Sequence, residues 1–203
     1  MEFKKSHSGF YVAIEGIDTC GKSTQITNLM AYYPHAIFSK EPGASALGAK
    51  IRGIVLNDTI DSVAEFFLFL SDRAQHYAEV LKPHLDSHKL VITDRSLLSG
   101  MAYAKDIDEK LLLACNQLAM RALKPHLCIL LELDKKNLEA RLSAKANDNI
   151  EKRGFGYMLE IQERLARYAS LLGVDMVRID ASLPIPTITE CITSSIGKLF
   201  YKA

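Results

Sequence analysis

The stretch Gly16-Ile17-Asp18-Thr19-Cys20-Gly21-Lys22-Ser23 fills every fixed position of the pattern G-x-x-x-x-G-K-[ST], and no other feature constrains the chain as much. The pattern is meaningful only with a buried strand before it and a helix after it. Phe10 to Ile14 is an apolar run of strand type, and Lys22 to Tyr32 carries helical spacing through Ile26, Leu29 and Met30. Gly16 and Gly21 allow the backbone to turn its N–H groups inward around an anion, at the positive end of that helix. Gly16, Ile17, Asp18, Thr19, Cys20, Gly21, Lys22, Ser23 and Thr24 are therefore expected around the phosphates of a nucleotide. Lys22 is expected on the β- and γ-phosphates, and the Ser23 hydroxyl on Mg²⁺, a hard cation that takes few protein oxygens.

A chain of 203 residues, 48% of them apolar, can bury one sizeable core, which predicts a single domain over residues 1–203. The net charge of +1 argues against a broad polyanion-binding surface, so phosphate recognition should be local and no nucleic-acid partner is expected. Cys20, Cys115, Cys128 and Cys191 lie far apart without a C-x-x-C pair, which fits reduced thiols. The short polar stretch Met1 to Gly9 does not read as a secretory leader, and no apolar stretch reaches bilayer length. A cytoplasmic protein without a membrane partner is the expectation.

Downstream, apolar runs at Ala36–Lys40, Leu90–Thr93, Leu127–Leu133 and Met176–Ile179 read as further strands. Helical patterns alternate with them at Ala46–Leu56, Ser62–Leu81, Asp108–Leu123, Phe155–Leu172 and Ile185–Phe200, with another through Leu138 and Leu142. Ser62 and Glu65 are spaced as a capping box for the long third helix, and Pro83 is expected to end it. The alternation predicts an α/β fold with a five-stranded parallel sheet covered by helices on both faces. The polar segment Ser143 to Gly156 breaks the apolar pattern and reads as a lid over the phosphates.

Leu90 to Thr93 delivers Asp94 and Arg95 to the edge of the sheet where ligands bind in such folds. Asp94 could cap a following helix; beside a phosphate loop it reads better as an anchor for Mg²⁺, with the planar fork of Arg95 suited to phosphate oxygens. Phe69 and Arg73 share a helix face. On pattern alone, Phe69 reads as core and Arg73 as an exposed partner of Asp72 or Glu65.

The loop does not by itself choose among switches, motors and small-molecule kinases. A guanine-nucleotide switch needs D-x-x-G and N-K-x-D; the chain has Asp94-Arg95-Ser96-Leu97 and no N-K-x-D. A kinase needs a second cleft for an acceptor phosphate, with arginines to neutralise charge between two anions. Arg52, Arg73, Arg95 and the basic lid segment are the candidates.

Glu15-Gly-Ile-Asp18, Lys40-Glu-Pro-Gly43, Gly48-x-x-x-Arg52, Phe69-Leu-Ser-Asp-Arg73-x-Gln75-His76, Asp94-Arg95-x-x-x-Ser99-x-x-x-Tyr103 and Asp148-x-Ile-Glu151 resemble, in order and spacing, the motifs of thymidylate kinases. The resemblance implies a P-loop kinase of the nucleoside monophosphate kinase type that passes the γ-phosphoryl of ATP to dTMP, with Mg²⁺ as cofactor, and a homodimer. It implies that Asp18 contacts the sugar 3′-hydroxyl, that Phe69 stacks on thymine and that Arg73 bonds its exocyclic oxygen. It implies further that Arg95 and Arg52 hold the dTMP phosphate, that Ser99 lies on the base side, and that Tyr103 crowds the 2′ position. Thr19 and Cys20 offer no catalytic arginine, so the chain resembles the subtype whose arginine comes from the lid. Arg153 is the first choice for that role, ahead of Arg141, Lys145 and Lys152. Lys40, Ala44, Ser96 and Ala104 depart from the usual residues at their positions. Another nucleoside or nucleotide kinase, acting for example on dUMP, is the alternative, as is a nucleotide-binding protein that transfers nothing.

Overall fold

The computed structural model describes residues 9–143 and 155–201. Five parallel strands form one sheet in the order β2-β3-β1-β4-β5. They are β1 Phe10–Gly16, β2 Ile37–Lys40, β3 Leu90–Asp94, β4 Leu127–Glu132 and β5 Asp175–Asp180. From Tyr11 to Gly16 every residue of β1 is buried. A strand whose alternate side chains all lack water must be covered on both faces, which explains its continuous apolar run.

The covering helices are α1 Lys22–Tyr32, α2 Ala46–Asn57, α3 Ser62–His76, α4 Lys82–Asp86, α5 Leu97–Tyr103, α6 Glu109–Ala119, α7 Lys135–Ser143, α8 Phe155–Leu172 and α9 Ile185–Tyr201. One cluster of buried residues, from Tyr11 and Ile14 in β1 through Leu98 in α5 to Leu165 in α8 and Ile192 in α9, unites sheet and helices. Polar side chains clip α1 to α9 as well: Thr189 donates to Gln25 Oε1 at 2.7 Å, and Gln25 Nε2 to the Ile185 carbonyl at 3.2 Å.

Two local expectations fail. Pro83 does not end the long helix: a π-helical turn at Tyr77–Leu81 joins α3 to α4, which carries Pro83 in its first turn. A proline lacking its N–H is tolerated there, where the bond it would have donated is already out of the regular ladder. The helix is not opened by a Ser62–Glu65 box either; Asp61 is the cap, its carboxylate accepting from the Val63 N–H at 2.9 Å and the Ala64 N–H at 3.3 Å. A carboxylate one residue earlier is the stronger acceptor, and Ser62 is left to donate to Asp106 at 3.1 Å.

Register decides where a ligand can sit. Ile14 pairs with Asp94, Lys40 also pairs with Asp94, and Gly16 pairs with Leu131. The loops after β1, β2 and β3 therefore leave the sheet side by side at one edge. They are tied there by the Arg95 N–H to the Ile14 carbonyl and the Glu41 N–H to the Asp94 carbonyl, both 3.0 Å.

Candidate active site

After β1 the chain turns tightly through Gly16 (φ 147°), Thr19 (φ 70°) and Gly21 (φ 98°). A Cβ on Gly16 would stand 2.6 Å from Cys20 Sγ and 2.6 Å from the Leu131 carbonyl oxygen, so only glycine fits. Lys22 is buried and folds back over the loop, its Nζ donating to the carbonyls of Gly16 at 2.9 Å and Ile17 at 3.0 Å. Ile17 and Cys20 are buried beneath the loop, whereas Asp18, Ser23 and Thr24 are exposed. Arg141 of α7 stitches the loop from the other side, with Nη1 on the Thr19 carbonyl at 2.9 Å and Nη2 on the Ala181 carbonyl.

Arg95 joins this loop to the neighbouring cleft. Its Nη2 donates to Asp18 at 2.6 Å, and its Nη1 to Ser99 Oγ at 3.1 Å and the Gly16 carbonyl at 3.4 Å. The guanidinium also lies 5.2 Å from the centre of the Tyr103 ring. Behind it, Glu15 is fully buried and accepts from the Ser96 hydroxyl at 2.7 Å, the Ser99 hydroxyl at 2.5 Å and the Ser99 N–H at 3.3 Å. Burial raises the Glu15 carboxyl above its ordinary value, against the pull of those serines and of Arg95 and Lys22. Ser96, not Asp94, caps α5, accepting from the Leu98 N–H at 3.2 Å. At the far end of α5, Arg164 of α8 donates to the Ala104 carbonyl at 3.0 Å.

Arg73 is 3% exposed, so the exposed partner of Asp72 or Glu65 expected from pattern alone is not what forms. Its Nε donates to Glu41 Oε2 at 2.9 Å and its Nη1 to Asn116 Oδ1 at 2.6 Å. Glu41 also meets His76 Nδ1 at 2.9 Å, whose Nε2 lies 2.8 Å from Ser39 Oγ. Burial alone would push the Glu41 carboxyl up; Arg73 and His76 outweigh it and hold the group below its ordinary value. Asp72 accepts from the Gly43 N–H at 3.2 Å, and burial raises its carboxyl. Arg52 reaches the Pro42 carbonyl with Nη1 at 3.1 Å.

These side chains surround a cleft of about 410 Å³ beside the phosphate loop, large enough for a nucleoside monophosphate. Asp18, Arg52, Phe69, Arg73, Arg95, Ser99 and Tyr103 all line it, together with Glu41, Gly100, Lys105 and Tyr157. Phe69 is half-buried, with part of its ring available to the cleft.

Comparison with known proteins decides what this pair of sites belongs to. The family model described as thymidylate kinase matches residues 14–192. A thymidylate kinase of Helicobacter hepaticus is 52% identical over 178 residues, covering 85% of this chain and 90% of that protein. One from Aliarcobacter butzleri is 49% identical, covering 90% and 96%. The chain belongs to the thymidylate kinase family. The crystal structure of a thymidylate kinase from Ehrlichia chaffeensis shares the fold, with a TM-score of 0.73 at 21% identity over 93% of this chain and 98% of that one. The fold is accordingly the P-loop kinase fold that the loop and strand order imply.

Among the residues that carried the resemblance, those of the acceptor side converge on the cleft, and Gly16 to Thr24 form the loop beside it. Arg153, Lys145 and Lys152, with most of the lid segment, lie outside the described residues; Arg141 is the one basic candidate of that group within them. Asp94 stands at the end of β3 with its Oδ1 buried and without a hydrogen-bond partner. Several members of the site carried no role in the sequence reading: Glu15, Ser96, Asn116, Gly100, Lys105 and Tyr157. Asn116 did leave a signal, since it falls on the buried stripe of α6 one turn from Leu112.

Proposed function

We propose that this chain transfers the γ-phosphoryl of ATP to dTMP, giving dTDP and ADP. The observation that carries the proposal is Arg95, which is bonded to Asp18 of the phosphate loop and lines the cleft beside it. A guanidinium in that position faces the gap between donor and acceptor phosphates, where charge builds during transfer. Lys22 and the loop N–H groups hold the donor; Arg95 and Arg52 hold the acceptor phosphate. Phe69 stacks on the base, Arg73 bonds it, Asp18 contacts the sugar 3′-hydroxyl and Tyr103 crowds the 2′ position. Ser99 orients Arg95 on the base side. The lid contributes the second arginine, Arg153, and excludes water.

The donor set suits Mg²⁺. Asp94 offers a buried, unpartnered carboxylate oxygen next to the loop, and Ser23 an exposed hydroxyl at the start of α1. Held by Asp94 and Ser23, Mg²⁺ would neutralise charge on the donor phosphates.

A homodimer is part of the proposal. Leu47 and Ile54 of α2, Val63 and Phe67 of α3, and Leu111 and Leu118 of α6 are exposed apolar residues on helices that pack side by side. A subunit contact along α2, α3 and α6 would take these side chains out of water. No described helix is long and apolar enough to cross a membrane; a cytoplasmic site of action is proposed on the four free thiols, which suit a reducing compartment.

Purified protein with ATP and Mg²⁺ should release ADP only when dTMP is added, and faster than with dUMP, dCMP or thymidine. ADP release that ignores dTMP, or that prefers another acceptor, overturns the assignment. Phe67→Glu should shift the sedimenting species from dimer to monomer; an unchanged mass would remove α3 from the interface.

A further inference from the structure

We infer that Asn116 and Gly100 are positioning residues for the acceptor base, acting through Arg73 and setting how tightly dTMP binds. The inference rests on the reading of Arg73 as a base contact. Arg73 is a buried cation, and a buried guanidinium must have acceptors or it will not stay. Glu41 supplies the opposite charge at Nε, 2.9 Å away, and is itself braced by His76 and, through it, Ser39. That leaves the guanidinium free to swing about its Nε end unless the other end is held. Asn116 holds it, with Oδ1 2.6 Å from Nη1.

The amide can present only that face. Asn116 Nδ2 donates to the Leu112 carbonyl one turn earlier at 2.7 Å, so Oδ1 must point at Arg73. Asn116 is fully buried and has no path to solvent as an alternative partner. A neutral acceptor suits the place, because Glu41 already balances the charge of Arg73 and a second carboxylate would compete for it. The third restraint is steric. A Cβ on Gly100 would stand 2.3 Å from Arg73 Nη2 and 2.7 Å from Nη1, so the guanidinium lies flat against bare backbone of α5. Both Arg73 and Gly100 line the cleft. The cation is thus pinned by the turn after β2, by α6 and by α5, and the side left open is the one the base would occupy.

The test compares Asn116→Leu, Asn116→Asp, Gly100→Ala and Arg73→Ala with the wild type, reading KM for dTMP, KM for ATP, kcat and the urea midpoint. Asn116→Leu removes the acceptor at constant size and should raise the dTMP KM about ten-fold, the scale of one charge-assisted hydrogen bond, with ATP KM and kcat at saturating dTMP within about two-fold. Asn116→Asp keeps an oxygen facing Nη1 but sets its other oxygen against the Leu112 carbonyl and adds a second carboxylate beside Glu41, so its dTMP KM should rise about as far as that of Asn116→Leu. Gly100→Ala should raise the dTMP KM like Asn116→Leu by displacing the guanidinium, and it carries the test if Asn116→Leu does not fold. Folded variants at Asn116 and Gly100 with wild-type dTMP KM would overturn the inference, as would equal rises in dTMP and ATP KM, which mark general loosening. Arg73→Ala separates the layers. If it leaves dTMP KM unchanged, the base-contact reading of Arg73 falls and this inference with it. If it alone raises dTMP KM, the positioning roles alone are wrong.

Discussion

Replacing Arg95 by alanine tests the acceptor site most directly, and the structure sets the size of the effect. A guanidinium facing a phosphate offers two charge-assisted hydrogen bonds, each worth about 1.5–3 kcal/mol, or about 3–6 kcal/mol together. Against that stands what Arg95 gives up on meeting substrate. Its Nη2 leaves Asp18, whose side chain is 55% exposed, and an ion pair that open to water returns only about 0.2–1 kcal/mol. The net loss for Arg95→Ala is then about 2–5 kcal/mol, a fall of about 30- to 5,000-fold in kcat/KM for dTMP. Arg95 already sits at φ 70°, a conformation alanine finds no easier, so the backbone cost is the same in both proteins and does not blur the comparison. Arg95→Lys keeps the charge without the fork and should lose about half as much on a logarithmic scale. ADP release followed through a coupled NADH assay, with dTMP varied at saturating ATP, gives both constants. A kcat/KM within about three-fold of wild type for Arg95→Ala would refute the placement of the acceptor phosphate at this cation.

Lys22→Ala should lower kcat by about 10²–10³ at saturating substrates, the usual cost of one fixed donor on the transferring group; turnover within ten-fold of wild type would count against its role on the donor phosphates. Gly16→Ala forces a Cβ to within 2.6 Å of the Leu131 carbonyl oxygen, and backbone cannot step aside as a flexible side chain can. It should cost about 1–3 kcal/mol of stability in urea melts and abolish ATP binding measured by calorimetry; wild-type ATP affinity would show that the loop geometry is not needed. For pH, Glu15 and Glu41 have opposite signs. Burial raises Glu15 above 4.5, so its contribution to stability is present below about pH 4.5 and is lost as pH rises through its higher folded value. Glu41, held below 4.5 by Arg73 and His76 against the effect of burial, contributes stability above about pH 4.5 that is lost as pH falls through its folded value. In urea melts from about pH 3 to 7, Glu15→Gln should therefore gain on the wild type as pH rises through and above about 4.5, and Glu41→Gln should fall behind it as pH rises toward about 4.5; parallel curves would refute both assignments.

What could be read from the residues alone was what depends on near neighbours in the chain. The phosphate loop is of this kind, because Gly16 and Gly21 meet a conformational demand made within eight positions. So are the strands, since an apolar run bounded by turn residues has few other ways to satisfy its backbone. Where two local signals competed, sequence could misjudge the winner: Asp61 takes the cap from Ser62. Pro83 misled for a related reason. Its effect depends on whether the ladder is already broken at Tyr77–Leu81, which its own neighbours do not announce.

The buried side of the cleft could not be read in this way, and Arg73 explains why. Seen along α3 it is a charged residue one turn from Phe69, and the default for a charged helix residue is solvent. What overrides the default lies 32 positions back at Glu41 and 43 positions forward at Asn116. Neither distance carries a spacing rule. They meet because β2 pairs with β3 in a register that sets Lys40 against Asp94, bringing Glu41 to the same edge as Arg95. The same pairing of β3 with β1 sets Asp94 beside Ile14, two residues before the loop begins. The neighbourhood of the cleft is therefore a property of strand register: a slip of one residue in β3 would turn Arg95 from the cleft beside the phosphate loop toward the opposite face, with every local motif intact.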